Sequence, residues 1–193
     1  MIEHGDAGRD VMSISRVASG FSIVSPTDLE ASGFCVLKTE EEAKCPTLGK
    51  RFLSMLGGGS DLLVYTAPLD GFITAGSGND RVRAGTGADT LAGQSGNDYV
   101  DGGDGRDYLP GGAGSDRLRG QADSDRLKGG PGDDLLIGGA SADKFSGGSG
   151  NDLLKARNRQ RDSRIDCGDG EDRAVVDRHL DPRPVNCESV ILK

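Results

Sequence analysis

The chain has 193 residues, with 32 glycines, 4% aromatics and no tryptophan. So few large side chains cannot build a conventional close-packed core, which leaves either disorder or a strictly periodic use of glycine. The formal charge of −8 fits a cation-binding protein and argues against nucleic acid as the main partner, because phosphate contacts need a basic face.

In chain order, Met1 is followed at once by Ile2-Glu3-His4-Gly5, with no basic and then apolar leader. On that feature the sequence reads either as a mature chain or as a cytoplasmic one. Gly5-Asp6-Ala7-Gly8-Arg9-Asp10-Val11-Met12 is a partial copy of a glycine- and aspartate-rich motif. The pattern then breaks from about Ser13 to Phe52, a segment that holds Cys35 and Cys45. It returns in Leu56-Gly57-Gly58-Gly59-Ser60-Asp61-Leu62-Leu63-Val64, and Phe72-Ile73-Thr74 reads as the strand of a degenerate block. No apolar run approaches the ~20 residues that a membrane span needs.

From Ala75 to Lys155 the chain divides without a gap into nine blocks of nine residues. The sixth residue of each is aspartate: Asp80, Asp89, Asp98, Asp107, Asp116, Asp125, Asp134, Asp143 and Asp152. The eighth is always apolar: Val82, Leu91, Val100, Leu109, Leu118, Leu127, Leu136, Phe145 and Leu154. Glycine dominates positions one, two and four, where it permits positive φ at little steric cost. A turn of that kind aims carbonyl oxygens inward. The last three residues of a block alternate out, in, out as a short strand, so position eight forms a narrow core. Those few apolar side chains are too little to offset the entropy of ordering the array, so the sequence predicts a roll that needs metal to fold.

These blocks resemble the G-G-x-G-x-D-x-U-x nonapeptide of the RTX (repeats-in-toxin) calcium-binding proteins. The resemblance implies an all-β, right-handed parallel β-roll, or β-solenoid, of calcium-binding repeats with short non-repeat caps. Two blocks make one coil, so several Ca2+ ions sit between turns eighteen residues apart. Calcium takes six to eight oxygens at ~2.3–2.6 Å. The nine aspartates would supply carboxylates. Backbone carbonyls would come from Gly76, Gly78, Gly93, Ser95, Gly96, Gly111, Ala113, Gly114, Gly129, Pro131, Gly132, Gly147 and Ser149 on one edge. Gly85, Gly87, Gly102 and Asp104 would supply them on the other. The first edge keeps glycine at position four in all five turns. The second has Asp123 and Ser141 in its last two, which predicts one full ion ladder and one that decays beyond Asp107.

The expected division is an N-terminal cap with degenerate rungs over 1–55, the calcium-binding roll over 56–155 and a C-terminal cap over 156–193. Cys167-Gly168-Asp169-Gly170-Glu171-Asp172-Arg173-Ala174-Val175 matches the motif inside that last part. Four cysteines allow three pairings. Cys35 with Cys45 and Cys167 with Cys187 is the expected one, because each pair brackets a non-repeat end. Disulfides point to an oxidising, extracellular compartment. They also depart from members of the family exported without cysteine. Arg157, Arg159, Arg161 and Arg164 stand where the next turn should be, as countercharge to Asp152, Asp162 or Asp166 in place of calcium. Outward Leu135, Ile137 and Leu153 call for cover, expected from Val175-Val176 and Val190-Ile191-Leu192.

No catalytic residues are expected. His4 and His179 belong to no H-E-x-x-H, and no G-x-S-x-G elbow or P-loop occurs. The expectation is a secreted, monomeric calcium-binding roll with a structural or surface role, whose protein or surface partner the sequence leaves open. The alternatives are an adhesion or ice-binding module, or the calcium-dependent domain of a larger secreted protein. Position three carries no regular threonine or asparagine ladder of the kind an ice-binding face needs.

Overall fold

The structure is a computed structural model that describes residues 11–17, 20–24, 51–65 and 70–193, with side chains described over 58–64 and 70–193. Its strands are β1 (Val11–Val17), β2 (Gly20–Val24), β3 (Arg51–Gly58), β4 (Leu62–Tyr65), β5 (Asp70–Ser77), β6 (Arg81–Arg83), β7 (Thr90–Ser95), β8 (Tyr99–Asp104) and β9 (Tyr108–Pro110). They continue with β10 (Gly112–Ala113), β11 (Arg117–Ala122), β12 (Arg126–Pro131), β13 (Leu135–Gly139), β14 (Lys144–Ser149), β15 (Leu153–Lys155), β16 (Arg164–Asp169), β17 (Arg173–Val176) and β18 (Ser189–Leu192). There is no helix among the described residues.

From β3 to β17, apart from the short β10, successive strands fall alternately into two sheets. One runs β18-β17-β15-β13-β11-β8-β6-β4-β1-β2 and the other β16-β14-β12-β9-β7-β5-β3. Every pairing is parallel except the β1–β2 hairpin. Leu118 stands beside Leu136 and Leu127 beside Phe145, a register shift of eighteen residues, or two blocks. The chain is therefore a parallel β-solenoid that winds one coil per two repeats, as the nonapeptide period predicts.

Stacking at this shift lines up position eight from coil to coil. On one sheet Leu63, Val82, Val100, Leu118, Leu136, Leu154 and Ala174 form a column. Ile73, Leu91, Leu109, Leu127, Phe145 and Ile165 belong to the other. All are 0–1% exposed. The core is thus two narrow files of mostly aliphatic side chains. The strand spacing of ~4.8 Å sets the repeat along each file.

The weaker copies join the stack. Leu62–Tyr65 and Phe72-Ile73-Thr74 are rungs, and Met12 of β1 pairs beside Leu63. Gly5 to Asp10 lie outside the described residues. The stack also runs past Lys155, because β16 pairs with β14 and β17 with β15 at a shift of twenty residues. Two extra residues are absorbed in that coil.

Positions seven and nine face outward as expected, with Arg117 over the Tyr99 ring at 5.9 Å and Arg126 over Tyr108 at 5.2 Å. Asp101 departs from this. It is only 3% exposed, and it accepts hydrogen bonds from Gln121 Nε2 at 2.7 Å and Tyr99 Oη at 3.4 Å. The C-terminal segment also differs from the expectation. Val190-Ile191-Leu192 does not fold over Leu135, Ile137 and Leu153. It forms β18, which adds edge-on to β17 with Val190 beside Ala174. Free backbone groups on an edge strand recruit another strand more strongly than a half-covered apolar patch recruits a lid.

Candidate metal sites at the two solenoid edges

The turns between the sheets stack along two edges, and each edge carries one file of aspartates. Asp80 N donates to Asp98 Oδ1 at 2.8 Å, Asp98 N to Asp116 Oδ1 at 2.8 Å, Asp116 N to Asp134 Oδ1 at 2.7 Å, and Asp134 N to Asp152 Oδ1 at 2.8 Å. On the opposite edge the same link joins Asp89 to Asp107, Asp107 to Asp125 and Asp125 to Asp143, at 2.8–2.9 Å. One carboxylate oxygen of each residue is therefore spent on stacking the coils.

The other oxygen has no such partner. Oδ2 of Asp80, Asp89, Asp98, Asp107, Asp116, Asp125, Asp134, Asp143 and Asp152 is buried and meets no hydrogen-bond donor. These residues are 0–3% exposed. Burial without a countercharge pushes their carboxyl groups up, against the opposing pull of the backbone amide. Asp89, Asp116, Asp143 and Asp152 are raised to about 6, Asp98, Asp107 and Asp134 to about 7, and Asp125 to about 8. Asp107 and Asp143 add like-charge repulsion at Asp125. Asp80 moves in the same direction.

Backbone oxygens complete the lining. A Cβ on Gly93 would fall on both Asp98 Oδ2 and the Gly111 carbonyl oxygen. Gly120 and Gly129 stand in the same relation to Asp125 with Gly138 and to Asp134 with Gly147. Position one is glycine there because oxygens occupy the space that a side chain would need. Ala75 and Ala84 fill it in the first two blocks. At position four, Gly96 has φ +124° and its absent Cβ would strike the Gly78 carbonyl. Where glycine is missing, Asp123 and Ser141 hold φ of 68° and 76°, in the left-handed region. The second edge thus keeps its course through strained residues.

The expected carbonyl donors are placed as follows. Ser95, Ala113, Pro131, Ser149 and Asp104 each accept an amide from the turn below, from Gly78, Gly96, Gly114, Gly132 and Gly87, at 2.7–2.9 Å. Gly111 O accepts the Gln94 amide at 2.7 Å. The oxygens of Gly78, Gly96 and Gly114, and those of Gly85 and Gly87, point along the solenoid at a glycine of the next coil. A carbonyl has two lone pairs, so an oxygen in one inter-turn bond can still meet a cation.

This chemistry fits calcium. The buried oxygens are hard, and each turn offers one carboxyl group. Among the described residues no Lys or Arg pairs with the nine aspartates: Arg83 goes to Asp101 and Arg164 to Asp166. No three His, Cys, Asp or Glu side chains converge among the described residues. A cation here would therefore draw most of its ligands from the main chain, a donor set that suits calcium and not zinc.

Both files run further than the nine blocks. Asp61 N donates to Asp80 Oδ1 at 2.7 Å, Asp143 N to Asp162 Oδ1 at 2.8 Å and Asp152 N to Asp172 Oδ1 at 2.7 Å. Asp181 then accepts the Asp162 amide at 3.0 Å, and Glu188 accepts the Asp172 amide at 2.7 Å. Sequence reasoning left these five out of the site because their spacings of 16, 19 and 20 residues break the eighteen-residue period. Of the arginines expected to replace calcium, Arg164 pairs with Asp166 at 2.7 Å, whereas Asp152 and Asp162 keep an oxygen with no donor. Cys167 and Cys187 form a disulfide across 20 residues, just before Glu188. Cys35 and Cys45 lie outside the described residues.

Stacked parallel coils with a file of buried, unneutralised carboxylates along each edge define a calcium-binding β-roll. The profile of the family described as RTX calcium-binding nonapeptide repeat (4 copies) matches residues 74–109, 110–141 and 119–154. That segment is an array of RTX repeats, a calcium-binding β-roll module. No curated protein and no solved structure matches the chain. Among the described residues, no helix is long and apolar enough to cross a membrane.

Proposed function

We propose that the chain acts outside the cell as a calcium-dependent structural or surface module, folded only while its edges are loaded with Ca2+. The observation that carries this reading is the unbroken file of buried Oδ2 atoms without a donor on both edges. Carboxylates so placed oppose folding until a cation neutralises them. Calcium would then be held by the nine block aspartates, with main-chain oxygens of positions one to four as the remaining ligands.

Two further features belong to the reading. The first edge, with glycine at position four throughout, binds ions along its whole length. The second binds more weakly where Asp123 and Ser141 stand, because their left-handed backbone differs from that of a glycine near φ +125°. RTX repeat proteins are typically secreted, and the Cys167–Cys187 disulfide favours the same compartment here. The regular roll is taken as 56–155, flanked by the parts before and after it.

Calcium titration of the chelated chain, followed by far-ultraviolet circular dichroism, tests the proposal. A cooperative gain of β-signal with calcium is the expected result. A folded spectrum in chelator that calcium leaves unchanged would refute it.

A further inference from the structure

The coil after the last block has a turn unlike the rest. Residues 157–162 read Arg-Asn-Arg-Gln-Arg-Asp, with no glycine, and lie beyond the matched repeats. Its shape is fixed by side chains. Asp177 Oδ2 accepts the amides of Asn158 at 2.9 Å and Arg159 at 2.6 Å, and Asn158 Nδ2 donates to the Ser141 carbonyl at 2.6 Å.

This different turn presents the same orphaned oxygen. Asp162 is 2% exposed, and its Oδ2 meets no donor. The Asp181 carboxyl lies within interaction range of it, and Asp143 repels it from the coil below. Asp181 is itself held in place: its Oδ1 accepts the Asp162 amide at 3.0 Å and its Oδ2 the Asp177 amide at 2.6 Å. The buried Asp162 carboxylate and the half-buried Asp181 carboxylate thus lie close together. The arginines of the turn do not pair with them: Arg157, Arg159 and Arg161 are exposed, and Arg164 turns to Asp166. The buried Asp162 Oδ2 calls for a positive partner, since an unpartnered buried carboxylate beside a second one is costly.

We propose that Asp162 and Asp181 hold one further divalent cation of the calcium type beyond the repeat array, at the C-terminal end of the second edge. Main-chain oxygens of the two turns complete its shell. The array proper does not require this site, and the site does not require a nonapeptide. The proposal rests on the calcium reading of the edges, and it ends the ladder with metal where the sequence suggested arginine.

The test counts ions on the full chain. Native mass spectrometry in calcium should find one ion fewer per chain in Asp162→Asn than in the parent. The double variant, Asp162→Asn with Asp181→Asn, should also hold one ion fewer than the parent, because both carboxylates serve a single cation. Asparagine keeps an acceptor for the Asp143 amide, so the coil retains its stacking bond. Equal counts in parent and variants would overturn the proposal and leave a shared proton as the occupant. Long-wavelength anomalous diffraction from parent crystals grown in calcium probes the same site without a substitution. A peak beside Asp162 Oδ2 supports the site, and peaks along the array with none there overturn it. Peaks nowhere overturn the calcium reading of the whole roll as well.

Discussion

Replacing Asp134 by asparagine should change stability in opposite directions with and without calcium. Asp134 is 2% exposed. Its Oδ1 receives the Asp116 amide at 2.7 Å, while its Oδ2 meets no donor. Burial, with Asp116 and Asp152 close by, raises its carboxyl from 3.8 to about 7. A tenfold change in proton affinity is worth ~1.4 kcal/mol, so charging this group in the metal-free roll costs up to about 4 kcal/mol. Solvent screening at the edge of the turn lowers that to about 2 kcal/mol. Asp134→Asn keeps an acceptor for the Asp116 amide and removes the charge, so it should stabilise the metal-free roll by about 2 kcal/mol. In calcium the same change leaves a buried cation short of one anionic ligand, a loss of about 3–5 kcal/mol. Urea unfolding in excess calcium measures the second effect. Osmolyte-induced folding in chelator, read by circular dichroism, measures the first. Destabilisation of equal size in both conditions would mean that Asp134 is only a hydrogen-bonding group, and the metal argument would fail.

The pH dependence follows from the same groups. Their folded values lie above the unfolded one, so the metal-free roll binds more protons than the unfolded chain and loses stability as pH rises from about 4 to about 8. Calcium competes with those protons, so its affinity should weaken as pH falls from about 8 to about 6, which calorimetric titration at several pH values would show. Gly114→Ala should cost about 2–3 kcal/mol in calcium, because φ is +121° and the new Cβ meets the Gly96 carbonyl. Ser141→Gly should stabilise by up to about 1 kcal/mol by relieving a left-handed φ of 76°; a loss would show that this turn uses the serine. Opening the Cys167–Cys187 bridge, which spans 20 residues, by a double serine substitution should lower stability by about 3 kcal/mol, read from the urea midpoint.

Most of the roll was legible in the sequence because a nonapeptide period leaves little freedom. An invariant aspartate, an invariant apolar position and glycines at three others admit one way of stacking. Position eight therefore became the core, from Val82 to Leu154, and position six became the buried carboxylate file. The same reasoning failed where the period slipped. Asp162, Asp172, Asp181 and Glu188 reach the two files through insertions of one or two residues or through a shortened return. A spacing count discards such residues, whereas stacked coils accept them, because an extra residue can bulge outward without shifting the hydrogen-bonded turn.

The sequence by itself determined the class of fold and the calcium-binding character of the repeats, since each is a property of one repeat multiplied. Only the tertiary structure decided how the roll ends. Whether Asp162 meets Asp181, and whether Val190 covers a sheet or extends it, depends on which unsatisfied group lies nearest in space. Those choices come from contacts between segments that share no period, so no repeat rule could have predicted them.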